Sequence, residues 1–287
     1  GVPFRALPVN VDLPADAAVV AARARRAAKR LIIRGIHFRH AGFLLAFTGE
    51  VYHKMPCSAT LYVIQYIVFK RSVTVEVLYL DNKIIVCMKP AGVLSTDEPG
   101  GMPDRIREAI GQPQAKVRTV HRLDAQVSGV MVFARSRMAA ALLSQQIRER
   151  RFTKEYLAVL CGTPSQSSGI LTDLLARDPQ RRLTYVADTP SPSTREARLS
   201  FATVDSSDGM TLVRVRLHTG RTHQIRVQFA SRGLPLLGDI RYGSKAECTT
   251  ALWSHRMAFT HPVTGKPVDV SCPPPRRWPW TLFPETE

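Results

Sequence analysis

The sequence predicts an α+β fold with a mixed, largely antiparallel central sheet and flanking helices. Two observations lead there, and a third bears on cofactors. Strand-like and helix-like stretches follow one another without the strict alternation of a doubly wound parallel fold. Several strand-like runs are separated only by turn residues, the pattern of hairpins. No G-x-G-x-x-G or phosphate-loop pattern occurs in the 287 residues, so a nucleotide cofactor is not expected.

Taken in order, residues 73–79 (V-T-V-E-V-L-Y) alternate as a half-buried strand, and Asp81-Asn82 makes a turn. Ile84-Ile85-Val86-Cys87-Met88 then reads as a fully apolar strand. Lys89-Pro90-Ala91-Gly92 ends it, because Pro lacks the donor that a central strand needs. Pro99-Gly100-Gly101 marks a loop, and residues 103–110 read as a helix stopping near Gly111. In residues 119–134 the polar turn around His121-Arg122-Leu123-Asp124 runs through Ser128-Gly129 into a short apolar strand.

Residues 136–151 predict an amphipathic helix, with Met138, Leu142, Leu143 and Ile147 at helical spacing. Arg148, Arg150 and Arg151 fall at its C-terminal end, where cations suit the helix dipole. Residues 153–160 read as a strand, and 163–169 and 188–193 as loops. Residues 199–204 and 210–217 form a hairpin pattern across Asp205-Ser206-Ser207-Asp208-Gly209. A second polar cluster fills residues 218–232. Residues 259–270 close the sheet, ahead of a Pro-rich tail carrying Trp278 and Trp280.

Charge narrows the function class. Lys and Arg number 40 against 23 Asp and Glu, a net charge of +17 that calls for a polyanionic partner, most simply nucleic acid. The 5 cysteines are scattered, with no C-x-x-C pair and no Cys/His cluster at metal-ligand spacing. No metal is expected, and free thiols in a reducing intracellular compartment are. No run reaches the length of a membrane span, so no membrane partner is expected. Residues 1–72 read as a separate basic extension: residues 17–49 carry seven Arg or Lys, from Arg23 to Arg39, and no acid at all. That composition suits an RNA-phosphate arm or an organelle-targeting segment, with the mitochondrial matrix as one compartment and the cytoplasm as the other. Residues 73–287 form the catalytic domain in this reading.

Three stretches carry chemistry, each beside a predicted strand: His121 to Asp124, Lys154-Glu155-Tyr156, and Gly220-Arg221-Thr222-His223-Gln224-Ile225-Arg226. Taken singly, an Asp before a strand is usually a turn former and a strand Tyr usually core. Together, H-R-L-D-x-x-x-S-G, K-E-Y-L and G-R-T-H-Q-I-R-V-x-x-A resemble the RluA-type pseudouridine synthases. V-L-Y-L-D-N-K-I-I-V-C-M-K-P-A-G, G-L-P-L-L-G-D-I-R-Y-G and L-W-S-H-R-M-A-F-T-H-P-V-T-G extend the resemblance over about residues 73–273.

The resemblance implies isomerisation of uridine to pseudouridine in structured RNA, ribosomal RNA or a pre-ribosomal particle first, with no metal and no small-molecule cofactor. It maps the catalytic Asp onto Asp124, acting as nucleophile or proton acceptor. Burial raises a carboxylate's pKa, so a nearby cation has to keep it charged; Arg226 is the expected partner. Arg221 is the alternative partner, expected rather to be a scaffold or phosphate contact. Tyr156 is the implied aromatic under the uracil, and Arg122 fills the gap left by a flipped nucleotide. His121 and Lys154 complete the expected RNA-binding set, with His121 and His223 as motif scaffolding that carries no proton transfer. Val127 stands where the family usually has Thr, Ala125 at a commonly polar position, and Gln228 where His is frequent. Val127, Ala125 and the basic extension motivate a second reading: an RNA-binding ribosome-assembly factor that keeps the synthase fold with weak or no catalysis.

Overall fold

The computed structural model describes residues 75–284, so the basic extension expected over residues 1–72 lies outside the described residues. The chain order is β1 (Val77–Leu80), β2 (Ile84–Lys89), α1 (Met102–Ala109), β3 (Arg118–Thr119), β4 (Ser128–Ala134), α2 (Arg137–Arg148) and β5 (Thr153–Cys161). There follow β6 (Ser168–Asp178), β7 (Leu183–Val186), β8 (Arg195–Ser207), β9 (Met210–Leu217), α3 (Gln224–Ala230), β10 (Leu252–Thr260) and β11 (Pro267–Ser271). One sheet runs β1-β2-β4-β10-β5-β9-β8-β6-β7, with β3 on β4 and β11 on β10. Every pairing is antiparallel except β4 with β10. The α+β expectation holds.

Both faces of the sheet are covered, which explains why β2 is apolar without alternation. Ile85, Cys87, Met131, Phe133 and Val215 face one way, against Met102 and Ile106 of α1 and Ile225 and Phe229 of α3. Ile84, Val86, Val130 and Val132 face the other way, against Ala139 and Leu143 of α2. Farther along that sheet, Leu157, Val159 and Trp253 are closed over by Trp280 and Phe283 of the Pro-rich tail.

Four expectations need correction. Strands β6 and β7 had no counterpart in the sequence reading. Ser168 and Gly169 look like loop residues, and polar side chains at Thr172, Asp173 and Arg177 break the apolar period. The hairpin strand expected at 199–204 begins at Arg195 and ends at Ser207, because cross-strand pairing carries its charged ends. Helix α2 starts one residue after Ser136, whose hydroxyl caps it by accepting from the Ala139 amide, and Met138 is exposed rather than apolar-face. Its buried face includes Gln146, which is satisfied by exchanging two hydrogen bonds with the Thr260 backbone. Finally, residues 224–230 form a short helix buried at nearly every position, which erases the amphipathic signal.

The parallel contact between β4 and β10 is where the strand leaving the H-R-L-D turn crosses β10. Gly129 permits it: its φ is +121°, and a Cβ there would lie 2.3 Å from the Ser254 carbonyl oxygen. The crossing anchors the turn that precedes it.

Candidate active site

The turn at residues 121–127 is tied down from several sides. Lys89 ends β2 with its side chain fully buried, and its ammonium donates to the carbonyls of Pro90 (2.9 Å), Ala125 (3.0 Å) and Val127 (2.8 Å). The Gly92 amide donates to the second lone pair of Ala125 O at 2.7 Å. Ser95 Oγ donates to Leu123 O and accepts from Leu123 N. Burial pushes the Lys89 pKa down to about 7, against the opposing pull of Asp124. His121 is buried, and its Nε2 accepts the Val132 amide at 3.1 Å, so the imidazole supports β4. Burial first, and then Lys154 beside it, hold the His121 pKa well below its ordinary value.

Asp124 projects from this turn into a cleft of about 1070 Å³. Its Oδ2 receives Arg226 Nη1 at 2.9 Å and faces His223 Nε2 at 3.8 Å, while its Oδ1 has no protein partner among the described residues. Arg226 comes from α3, where the expected cation lies. Its Nε and Nη2 engage Asp239 at 2.6 and 2.8 Å, a two-pronged pair with a carboxylate only 1% exposed. Burial disfavours the Arg226 cation, yet Asp239 and then Asp124 outweigh it and push its pKa up. The guanidinium is therefore fixed and charged before substrate arrives.

The remaining expected residues surround this pair. Tyr156, on β5, is buried beside Asp124; burial, then that charge, raise its phenol pKa and keep it neutral. Lys154 lies at the same cleft with its ammonium 5.7 Å from the Phe152 ring, and burial lowers its pKa to about 8. Arg122 is exposed in the cleft with no hydrogen bond or ion pair among the described residues. Arg221 donates from Nε to Glu196 O at 2.8 Å and from its amide to Gln224 Oε1, so it is anchored to β8. The cleft also holds Arg148, Arg150, Arg177 and Arg216, against Glu98 and Asp124 as acids. Its field suits a polyanion. Among the described residues no group of three His, Cys, Asp or Glu is placed to hold a metal ion.

The three departures have physical counterparts. Val127 is 2% exposed and packs in the core, while its carbonyl, not its side chain, receives Lys89. Ala125 likewise contributes through its backbone. Gln228, fully buried, accepts from Gln224 Nε2 and donates to Asp173 Oδ2, which Arg232 also engages. Sequence reasoning missed Lys89, Asp239 and Tyr242. A Lys at the end of a buried strand and an Asp inside L-P-L-L-G-D were the available signals, since charges in apolar surroundings need partners.

A mostly antiparallel sheet with an Asp–Arg pair in a basic cleft agrees with a pseudouridine synthase fold, which the solved neighbours show. The solved human protein RNA pseudouridylate synthase domain containing 4 superposes with a TM-score of 0.63, over 77% of this chain and 96% of that one, at 20% identity. The RNA pseudouridylate synthase family model matches residues 83–231. The dual-specificity RNA pseudouridine synthase RluA of Escherichia coli is 33% identical over 69% of this chain and 92% of its own length. The ribosomal large subunit pseudouridine synthase D of Xanthomonas campestris is 34% identical over 71% of this chain and 67% of its own. The chain belongs to the RluA-type RNA pseudouridine synthase family, and it is an isomerase acting on RNA.

Proposed function

We propose that this enzyme isomerises uridine in ribosomal RNA, within a pre-ribosomal particle, and that Asp124 is the reacting group. The Arg226–Asp124 contact carries the reading: one carboxylate oxygen is held by a fixed cation, and the other is left for the substrate. In the reaction the N1–C1′ bond breaks, the uracil turns, and a C5–C1′ bond forms; C5 gives up its proton and N1 gains one. A carboxylate held in place by Arg226 acts at that sugar–base unit without prior activation. The RNA substrate class is supported by the net charge of +17 and the arginine-lined cleft. The ribosomal substrate is supported by the relatives whose names carry it.

In this reading the target nucleotide leaves its stack and enters the cleft. Arg122, unengaged and exposed, fills the gap it leaves. Tyr156 stacks on the uracil, and Lys154 and Arg221 contact phosphates. The acid-free Arg-rich stretch between Arg23 and Arg39 favours the mitochondrial matrix as the compartment; a tagged full-length protein found only in the cytoplasm overturns that part.

The test is a map of pseudouridine in RNA from cells carrying wild type, Asp124→Asn or no protein. Loss of the same ribosomal pseudouridine in both the variant and the null, with RNA binding retained by the variant, is expected. A modification level in Asp124→Asn equal to wild type overturns the role of Asp124. Binding to ribosomal RNA with no turnover even by wild type supports the assembly-factor reading instead.

A further inference from the structure

Tyr242 touches both groups that face Asp124. It ends the short 3-10 turn Ile240–Tyr242, directly after Asp239, the residue that clamps Arg226. Its ring lies 5.0 Å from the Arg226 guanidinium carbon, at cation–π distance. Its hydroxyl lies 2.8 Å from His223 Nδ1, and the two rings meet edge-on.

The direction of that second hydrogen bond follows from its neighbours. The Thr184 amide donates to the Tyr242 oxygen at 3.0 Å, which uses one of its lone pairs. The Thr184 hydroxyl makes no well-aligned hydrogen bond among the described residues, and its pull on Tyr242 is that of a donor, which favours the phenolate, so it does not take the phenol proton. The Tyr242 proton therefore points to His223 Nδ1, and a neutral imidazole then carries its own proton on Nε2. Nε2 is the atom 3.8 Å from Asp124 Oδ2, where a lone pair would face a carboxylate oxygen with no proton between them. Both ends of the ring require the same tautomer.

The backbone of His223 points the same way. Its φ is +55°, one of four positive values among non-glycine residues in the described chain, and it sits at the N-cap of α3 without a side-chain cap bond. A His held in that strained conformation is paid for by the contacts it makes, here with Tyr242 and Asp124.

We propose that Tyr242 is a positioning residue: it sets the His223 tautomer and supports the Arg226 plane, so that Oδ2 of Asp124 is bonded by Arg226 and faces the His223 Nε2 proton, and Oδ1 is the oxygen that reacts. The catalytic consequence rests on the role of Asp124 given above; the tautomer does not. Asp124, Asp239, Arg226 and Arg241 are the charged groups that act on His223, and both carboxylates pull against the burial that lowers its pKa.

The experiment uses the full chain with ¹⁵N-labelled histidine and long-range ¹H–¹⁵N correlation spectra, with kcat and KM measured on an RNA that wild type modifies. His223→Asn assigns the His223 signals by their loss, since Asn tolerates the left-handed backbone. Wild-type His223 is expected as the Nε2-protonated tautomer. Tyr242→Phe keeps the ring against Arg226 but lacks the hydroxyl; its spectrum is expected to shift to a mixture of tautomers, with kcat lowered about tenfold at unchanged KM. A wild-type His223 protonated on Nδ1 overturns the proposal, whether or not Tyr242→Phe folds. A Tyr242→Phe enzyme with wild-type kcat overturns it as well. Because the spectra need no RNA, failure of the Asp124 assignment shows separately, as turnover by Asp124→Asn.

Discussion

Arg226 lies between two carboxylates of unequal burial, and the inequality predicts opposite outcomes for two near-isosteric substitutions. Asp239 is 1% exposed and makes two hydrogen bonds to Arg226, whereas Asp124 is 27% exposed and makes one. Asp239→Asn removes the buried negative charge and turns one of the two accepting oxygens into an NH2 that faces a guanidinium N–H, and breaking a buried pair this way costs about 3–5 kcal/mol. Asp124→Asn keeps an oxygen to accept from Nη1 and leaves the Asp239 pair intact, so its cost is about 1 kcal/mol or less. At about 2–4 °C per kcal/mol for a domain of ~150–250 residues, Asp239→Asn lowers Tm by about 6–20 °C and Asp124→Asn by at most about 4 °C. Activity runs the other way: Asp124→Asn abolishes pseudouridine formation, while Asp239→Asn retains a residue of it, lowered about 100-fold by the loosened Arg226. Thermal unfolding and a tritium-release assay on 5-tritiated uridine RNA measure both. Equal Tm losses for the two variants refute the division of labour.

Four further outcomes follow from the same geometry. His121 has a folded pKa well below its unfolded value, so the unfolded chain binds a proton that the folded chain refuses; stability falls as pH drops below about 6.5, by up to ~1.4 kcal/mol per unit. His121→Gln removes that one proton from the slope of urea-unfolding free energy against pH, and an unchanged slope contradicts it. Gly129→Ala forces a Cβ to 2.3 Å from the Ser254 carbonyl oxygen, and a loss of at least about 3 kcal/mol in the same assay is expected. Val127→Thr adds a hydroxyl to a side chain packed in the core; about 1–3 kcal/mol of stability is lost and kcat stays within about threefold, whereas a tenfold gain in kcat would mean that Lys89 does not suffice to hold the turn. Deleting residues 1–72 weakens RNA binding and flattens log affinity against log salt if the Arg run meets phosphates, and an equal slope assigns that run to another task.

The sequence displayed the strands that alternate or are wholly apolar, and concealed those whose regularity is interrupted. β2 and β5 were readable because Ile84 to Met88 and Tyr156 to Leu160 are apolar on both faces of a covered sheet. β6 was not, because Thr172, Asp173 and Arg177 sit among its inward leucines and its pairing with β8 is decided across the fold. α3 was not, because Gln224, Arg226 and Gln228 are all buried, each satisfied by a partner that no local pattern reveals. The Asp124–Arg226 contact was inferred from the need of a buried carboxylate for a cation. Its support was invisible for a different reason: Asp239 and Tyr242 lie in a segment with no strand or helix period, and their partners come from α3.

What holds Asp124 is therefore mostly main chain and second neighbours, and this bears on how far the turn tolerates change. Val127 replaces a hydroxyl that the family usually has, and Ala125 a polar side chain, yet both carbonyls are engaged by the one buried ammonium of Lys89. An ammonium donor to a carbonyl contributes whatever side chain the residue carries, so holding the turn depends on Lys89 and not on the side chains at 125 and 127, although Val127 also packs in the core. The same logic applies on the other side of the carboxylate. Arg226 is aimed by Asp239 and Tyr242, and neither approaches the substrate cleft closely enough to line it. A turn built this way fixes the carboxylate at Oδ2 and leaves Oδ1 open, which is the condition for reacting with a base that arrives from outside the fold.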